Sequence, residues 1–213
     1  TNALLPISLS VHQKIINVRM YVKPRQGQVL CEFLSERMRR QGIHCDIIKL
    51  VDYQIPPGTC SDMGEGDQWP QLLDKVLTAD IVILATPIWW ANQSSLIQRI
   101  VERLDELHDK ILAGGTSPLE GKIGGIVITG DSDGAQHVIG NLCNFFNAAG
   151  LFIPPYATLS VLWERQAKSA SPTREELLGK YEADYGATAD KVVRQFLEFA
   201  PKSEGGAAGR LVP

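Results

Sequence analysis

Two adjacent tryptophans directly after an apolar run are the residues of this chain best suited to hold a flat ligand. Ile81 to Ala85 is an unbroken apolar segment, the composition of a strand buried on both faces. Thr86-Pro87 ends it, because Pro87 lacks an N–H and disfavours helical geometry at Thr86. Ile88, Trp89, Trp90, Ala91 and Asn92 then form a loop, and helical spacing begins at Leu96 after Gln93, Ser94 and Ser95. Wide aromatic surface at the carboxyl end of a central strand is where open α/β sheets bind planar ligands. The alternative is that Trp89 and Trp90 only pack between loop and sheet.

A second segment has the same form. Lys122 to Thr129 reads as a buried strand with Ile123, Ile126, Val127 and Ile128 as its apolar body. Gly130-Asp131-Ser132-Asp133-Gly134 is the turn that follows. Asp131 and Asp133 are candidates to hold that turn through side-chain-to-backbone bonds. The histidines do not assemble into a site. His12 and His44 fall in or beside strands, and His108 belongs to the solvated side of an outer helix. His137 stands apart, in the first turn of the helix after Gly134. No Ser-His-Asp order, Walker lysine motif or G-x-G-x-x-G pattern is present. Cys31, Cys45, Cys60 and Cys143 lack C-x-x-C spacing, so no zinc site or disulfide framework is expected and the thiols read as reduced.

The elements that must position these loops follow from size and periodicity. A chain of 213 residues fits one domain, expected over 1–200, with a disordered Gly- and Ala-rich tail over 201–213. Net charge is −3 and there is no basic stripe, so nucleic acid is not an expected partner. No apolar run approaches the ~20 residues of a membrane span, and no signal-peptide pattern opens the sequence, so a cytoplasmic location is expected. Val29 to Arg40 has one apolar face at helical spacing and stops at Gly42. Ile43 to Val51 reads as a strand, 52–67 as a long loop, and Trp69 to Leu77 as a short helix. Leu96 to Ile111 reads as one amphipathic helix, with Ile97, Ile100, Val101, Leu104, Leu107 and Ile111 inward. Ala135 to Ala149 is a helix ending at Gly150. Leu151 to Leu159 holds the last strand, and Pro154-Pro155 confines it to a sheet edge or a late start. Thr173 to Phe199 is the final helix, capped by Thr173 with Glu175 and Glu176 in its first turn. Ala3 to Val11 and Ile15 to Val22 are both candidates for the first strand. The alternation predicts a doubly wound, five-stranded parallel sheet of flavodoxin type, order 2-1-3-4-5, with helices on both faces.

Thr86-Pro87-Ile88-Trp89-Trp90-Ala91-Asn92-Gln93, taken with Thr129-Gly130-Asp131-Ser132-Asp133-Gly134-Ala135, resembles the flavodoxin-like NAD(P)H-dependent FMN reductase family. The resemblance runs from about Leu30 to Leu162. It implies that the loop after the third strand lies along a flavin ring and that the loop after the fourth contacts the ring's far edge. On that basis Thr86, Pro87, Ile88, Trp89, Trp90, Ala91, Asn92, Thr129, Gly130, Asp131, Asp133 and Gly134 are expected to bind FMN, with no metal and no catalytic side chain. Gly130 and Gly134 would let the backbone approach the ring closely. The family's Ser/Thr-rich phosphate loop is missing: Val22-Lys23-Pro24-Arg25-Gln26-Gly27-Gln28 stands there instead, and Lys23 and Arg25 are the candidate phosphate partners. The implied activity is hydride transfer from NAD(P)H to flavin N5 and onward to a quinone, free flavin or other small acceptor, in a homo-oligomer. A flavodoxin-type electron carrier, and a fold whose altered phosphate segment holds flavin weakly, are the other readings.

Overall fold

The computed structural model describes residues 17–22, 26–166 and 170–200. Five strands form one sheet: β1 (Asn17–Val22), β2 (His44–Lys49), β3 (Ile81–Pro87), β4 (Ile123–Gly130) and β5 (Thr158–Leu162). They lie in the order β2-β1-β3-β4-β5, and every neighbouring pair is parallel. The strand between β2 and β3 is thus the Asn17–Val22 segment, which decides between the two candidates within the described residues.

The α-helices are α1 (Gln26–Arg40), α2 (Trp69–Thr78), α3 (Ser95–Arg103), α4 (Glu106–Leu112), α5 (Ala135–Ala149) and α6 (Arg174–Phe199). Two separate apolar clusters account for the layering. Leu30, Leu34, Met38, Tyr181, Val192 and Phe196 from α1 and α6 cover one face of the sheet. Trp69, Leu72, Ile97, Ile100, Val138 and Phe146 from α2, α3 and α5 cover the other. β3 and β4 are buried along nearly their whole length, as their uninterrupted apolar runs require.

β4 also carries adjacent glycines for a packing reason. A Cβ on Gly124 would stand 2.7 Å from the Phe146 ring, and one on Gly125 would stand 2.6 Å from Phe196. Successive residues of a strand face opposite sides, so α5 and α6 each drive an aromatic ring against bare backbone. Gly125→Val is expected to destabilise the fold by about 1–3 kcal/mol through overpacking. Chemical denaturation measures it, and an unchanged midpoint would show that Phe196 yields freely.

Two expectations are corrected. The segment Leu96 to Ile111 is two helices. Leu104 N–H is shared between Ile100 O at 3.1 Å and Val101 O at 3.3 Å, and Asp105 N–H bonds Glu102 O at 3.1 Å. This tightening to i→i−3 bonds ends α3 and keeps both Leu104 and Leu107 buried. The last strand starts late, at Thr158, and lies at the sheet edge, as the prolines require, but it runs to Leu162 rather than within Leu151 to Leu159. Upstream of the prolines Phe152 makes only an isolated bridge to Ile123. The final helix has the expected Thr173 cap, completed by Glu176 in a capping box. Residues 201–213 lie outside the described residues.

Candidate functional site

The register of β3 and β4 brings the two candidate loops together. Pro87 pairs with Thr129, so the strands end level and both loops leave the same edge. Ile88 N–H then bonds Thr129 O at 3.0 Å. The side chain of Thr86 is buried and already committed: its Oγ1 accepts from Ser94 N–H at 2.8 Å. Ser94 in turn caps α3 by accepting from Ile97 N–H. Thr86 therefore fixes the far end of the loop through its hydroxyl, which also donates to Pro87 O at 2.9 Å.

Between those anchors the chain makes a two-residue hairpin. Trp89 N–H bonds Asn92 O at 2.8 Å and Asn92 N–H bonds Trp89 O at 2.9 Å. The residues at the tip, Trp90 and Ala91, have φ of 50° and 62°. Two positive φ values make a type I′ turn, normally the place of Asn-Gly. A residue with a Cβ loses roughly 1–2 kcal/mol there. Trp90 is nevertheless 95% exposed and Trp89 45%, so burial does not compensate for Trp90. Packing between loop and sheet, one of the two readings of these indoles, does not describe Trp90. A bulky aromatic held strained and in solvent is the kind of outlier from which function is inferred.

The second loop meets the first at Ala91. Gly134 has φ 114°, and a Cβ on it would lie 2.7 Å from Ala91 Cα. No side chain larger than hydrogen fits, which is why glycine stands there. Gly130 is different: its φ is not positive and a Cβ would meet the side chains of Ile88 at 2.9 Å and Leu162 at 3.2 Å. Its bare side thus faces protein. Asp131 and Asp133 do not hold the turn. Among the described residues neither carboxylate accepts from a backbone N–H, and Asp131 accepts only from Ser132 Oγ at 3.3 Å.

The unpaired donors lie at this junction. Among the described residues no hydrogen bond uses the N–H of Trp90, Ala91, Asp131, Ser132, Asp133 or Gly134. α5 begins at Gly134 without a side-chain cap, so its first-turn N–H groups add to the set. His137, in that first turn, places Nδ1 2.7 Å from Ala91 O. The site therefore offers an exposed aromatic surface beside a row of N–H donors and the positive end of a helix. A planar heterocycle carrying carbonyl oxygens has the matching chemistry, and an isoalloxazine ring is one. Lys23 and Arg25 lie outside the described residues.

The long loop before α2 is tied to α3 by two arginines. Arg99 Nη1 donates to Ile55 O at 2.9 Å. Arg103, fully buried, donates to Cys60 O at 2.8 Å, Pro56 O at 3.1 Å and Asp67 Oδ2 at 2.5 Å. Ser61 N–H also bonds the Glu106 carboxylate, and this bond leads the effects that hold that carboxyl below its ordinary range. Sequence reasoning missed Arg103. The available signal was a charged residue at the inward spacing of Ile97, Ile100 and Leu107. A groove of about 840 Å³ between α1 and α6 holds paired charges: Arg37–Glu182 at 2.8 Å, Arg174–Glu32 at 3.0 Å and Arg40–Glu36 at 3.2 Å. Among the described residues no cluster of His, Cys, Asp or Glu could hold a metal, the four cysteines are free, and no helix is long and apolar enough to cross a membrane.

A doubly wound parallel sheet, with exposed loops at the carboxyl ends of β3 and β4, places this chain among the flavodoxin-like α/β proteins. The model of the NADPH-dependent FMN reductase family matches residues 21–163, and the chain belongs to that family. FMN and NAD(P)H are the family's cofactors. Among solved structures, that of RosB with bound 8-demethyl-8-formylriboflavin-5′-phosphate is similar, with a TM-score of 0.70 and 24% identity over 87% of this chain and 79% of RosB. The 8-demethyl-8-aminoriboflavin-5′-phosphate synthase of Streptomyces davaonensis is 30% identical over 156 residues, 67% of this chain and 60% of the synthase. The divalent metal cation transporter MntH of Mycobacterium bovis is 36% identical over 132 residues, 60% of this chain and 19% of the transporter. The chain thus spans less than two thirds of either curated relative.

Proposed function

We propose that this chain is an FMN-dependent oxidoreductase that draws hydride from NAD(P)H and delivers electrons to a quinone, free flavin or other small acceptor. Bound FMN would supply the hydride-accepting and hydride-donating chemistry. The chain's own residues bind and orient it. Trp89 and Trp90 form the aromatic wall, with Pro87 and Ile88 beneath them and Asn92 closing the hairpin. The free N–H groups of Trp90, Ala91 and Asp131 to Gly134 meet carbonyl oxygens at the polar edge. With the amino end of α5 they favour negative charge there. Thr86 and Thr129 set the loop bases, and Lys23 and Arg25 are the candidate phosphate partners. The proposed setting is cytoplasmic and homo-oligomeric, with the loop from Gln54 to Trp69 of a neighbouring subunit helping to complete the pocket.

The observation that carries the reading is Trp90, 95% exposed at φ 50°. Aromatic stacking on a planar heterocycle is worth about 1–3 kcal/mol. Trp90→Ala is therefore expected to weaken FMN about 10- to 100-fold, read by quenching of flavin fluorescence. Folding stability should stay within ~0.5 kcal/mol of the parent, as for an exposed site. Unchanged FMN affinity in the folded variant would remove Trp90 from the binding surface.

A further inference from the structure

We infer that His137 is a positioning residue, a latch that holds the Trp89–Asn92 turn in its strained shape before any ligand arrives. The inference rests on the flavin reading for its consequence but not for its geometry. Ala91 O is a carbonyl and can only accept, so the 2.7 Å contact requires the hydrogen on His137 Nδ1. With Nδ1 acting as donor, the amide of Asn141, 3.5 Å away, cannot donate to the same nitrogen. The tautomer is thereby assigned: in the neutral ring Nε2 carries the lone pair.

The bond runs between two elements of unequal rigidity. α5 is anchored through Val138, Leu142 and Phe146, each at most 1% exposed. The turn has no such anchor at its tip, where Trp90 is in solvent and both tip residues have unfavourable backbone geometry. Ala91 is met by α5 twice, by the bare Cα of Gly134 and by the imidazole of His137. The first contact limits how close the loops come, and the second keeps them from separating. A strained conformation persists only where its surroundings over-determine it; Asn92 Nδ2, donating to Trp90 O at 2.9 Å, does this from within the turn, and the two contacts from α5 do it from outside. The turn therefore presents its aromatic wall ready-made, and binding needs no loop ordering.

Amide hydrogen exchange at Asn92 N–H, in protein stripped of flavin, tests the latch. His137 is exposed, so its substitution leaves the core intact. His137→Phe removes the donor, and exchange at Asn92 is expected to quicken about tenfold, the worth of one lost hydrogen bond. His137→Asn keeps an N–H near the Nδ1 position and should stay within about threefold of the parent. FMN affinity should follow the same order, about tenfold weaker in His137→Phe and near the parent in His137→Asn. Unchanged exchange in His137→Phe, or equal loss in both variants, would overturn the latch. Altered exchange in a protein whose parent binds no FMN would leave the latch standing and refute the flavin reading instead.

Discussion

Arg103→Ala is expected to cost about 3–5 kcal/mol of folding stability, because it leaves the Asp67 carboxylate buried without its partner. Both side chains are fully inaccessible. The guanidinium serves three acceptors from the long loop, Pro56 O, Cys60 O and Asp67. Alanine therefore removes the charged partner of Asp67, which keeps only the N–H groups of Met63 and Trp69, and the donor of two loop carbonyls at once. Urea denaturation at neutral pH measures the loss, and a cost below ~1 kcal/mol would mean that the loop relaxes into water without penalty. Replacing both partners by apolar residues, Arg103→Met with Asp67→Leu, is expected to recover much of the stability, since the charge pair itself contributes little beyond its hydrophobic counterpart. The pH dependence has a definite sign. Burial, the largest influence, opposes the Asp67 charge. The Arg103 bond and the N–H groups of Trp69 and Met63 outweigh it and hold the carboxyl below its ordinary 3.8. A depressed folded value means the pair's contribution is complete above the ordinary carboxylate range. It is lost as the pH falls from there through the folded value. The double variant should therefore lose less stability than the parent on acidification across that window.

Gly134→Ala is expected to be the most damaging small substitution at the loop junction, at about 2–5 kcal/mol. Left-handed geometry at a residue with a Cβ contributes roughly 1–2 kcal/mol, and the collision with Ala91 Cα adds the ~1–3 kcal/mol of overpacking. The obstacle is backbone, 2.7 Å away, and cannot rotate aside. Gly130→Ala is the control. Its new Cβ meets the end of the Ile88 side chain at 2.9 Å with ordinary φ, so a small rotamer shift accommodates it. Thermal or urea unfolding of the two variants should separate them clearly. FMN affinity in the folded Gly134→Ala protein should also fall, because Trp90 and the 130–134 amides can no longer share one ligand. Equal stability losses at both positions would show that the loops are not locked at Ala91.

The sheet was readable because its strands advertise themselves. Ile81 to Ala85 and Ile123 to Ile128 are apolar without a break, which only a strand covered on both faces tolerates. The two loops were readable because parallel strands ending level must place their following turns side by side. What escaped notice has a common physical cause, the dependence on contacts between distant residues. Nothing local to Leu104-Asp105 announces a break between α3 and α4, and the apolar spacing continues through it. Arg103 acquires its meaning only from Pro56, Cys60 and Asp67. The left-handed tip at Trp90-Ala91 contradicts local preference, since neither residue favours positive φ. Asp131 and Asp133 show the opposite error: their residue type fits a self-bonded turn, but Gly134 and the hairpin opposite shape it instead.

The Trp89–Asn92 turn and the Gly130–Gly134 turn are proposed to form one flavin surface together. An FMN titration followed by amide and indole N–H resonances decides whether they do. The indole signals of Trp89 and Trp90 and the amides from Asp131 to Gly134 are expected to shift together and saturate with one affinity, while the groove between α1 and α6 stays silent. Shifts concentrated in that groove, or none at either turn under saturating FMN, would contradict a shared flavin surface.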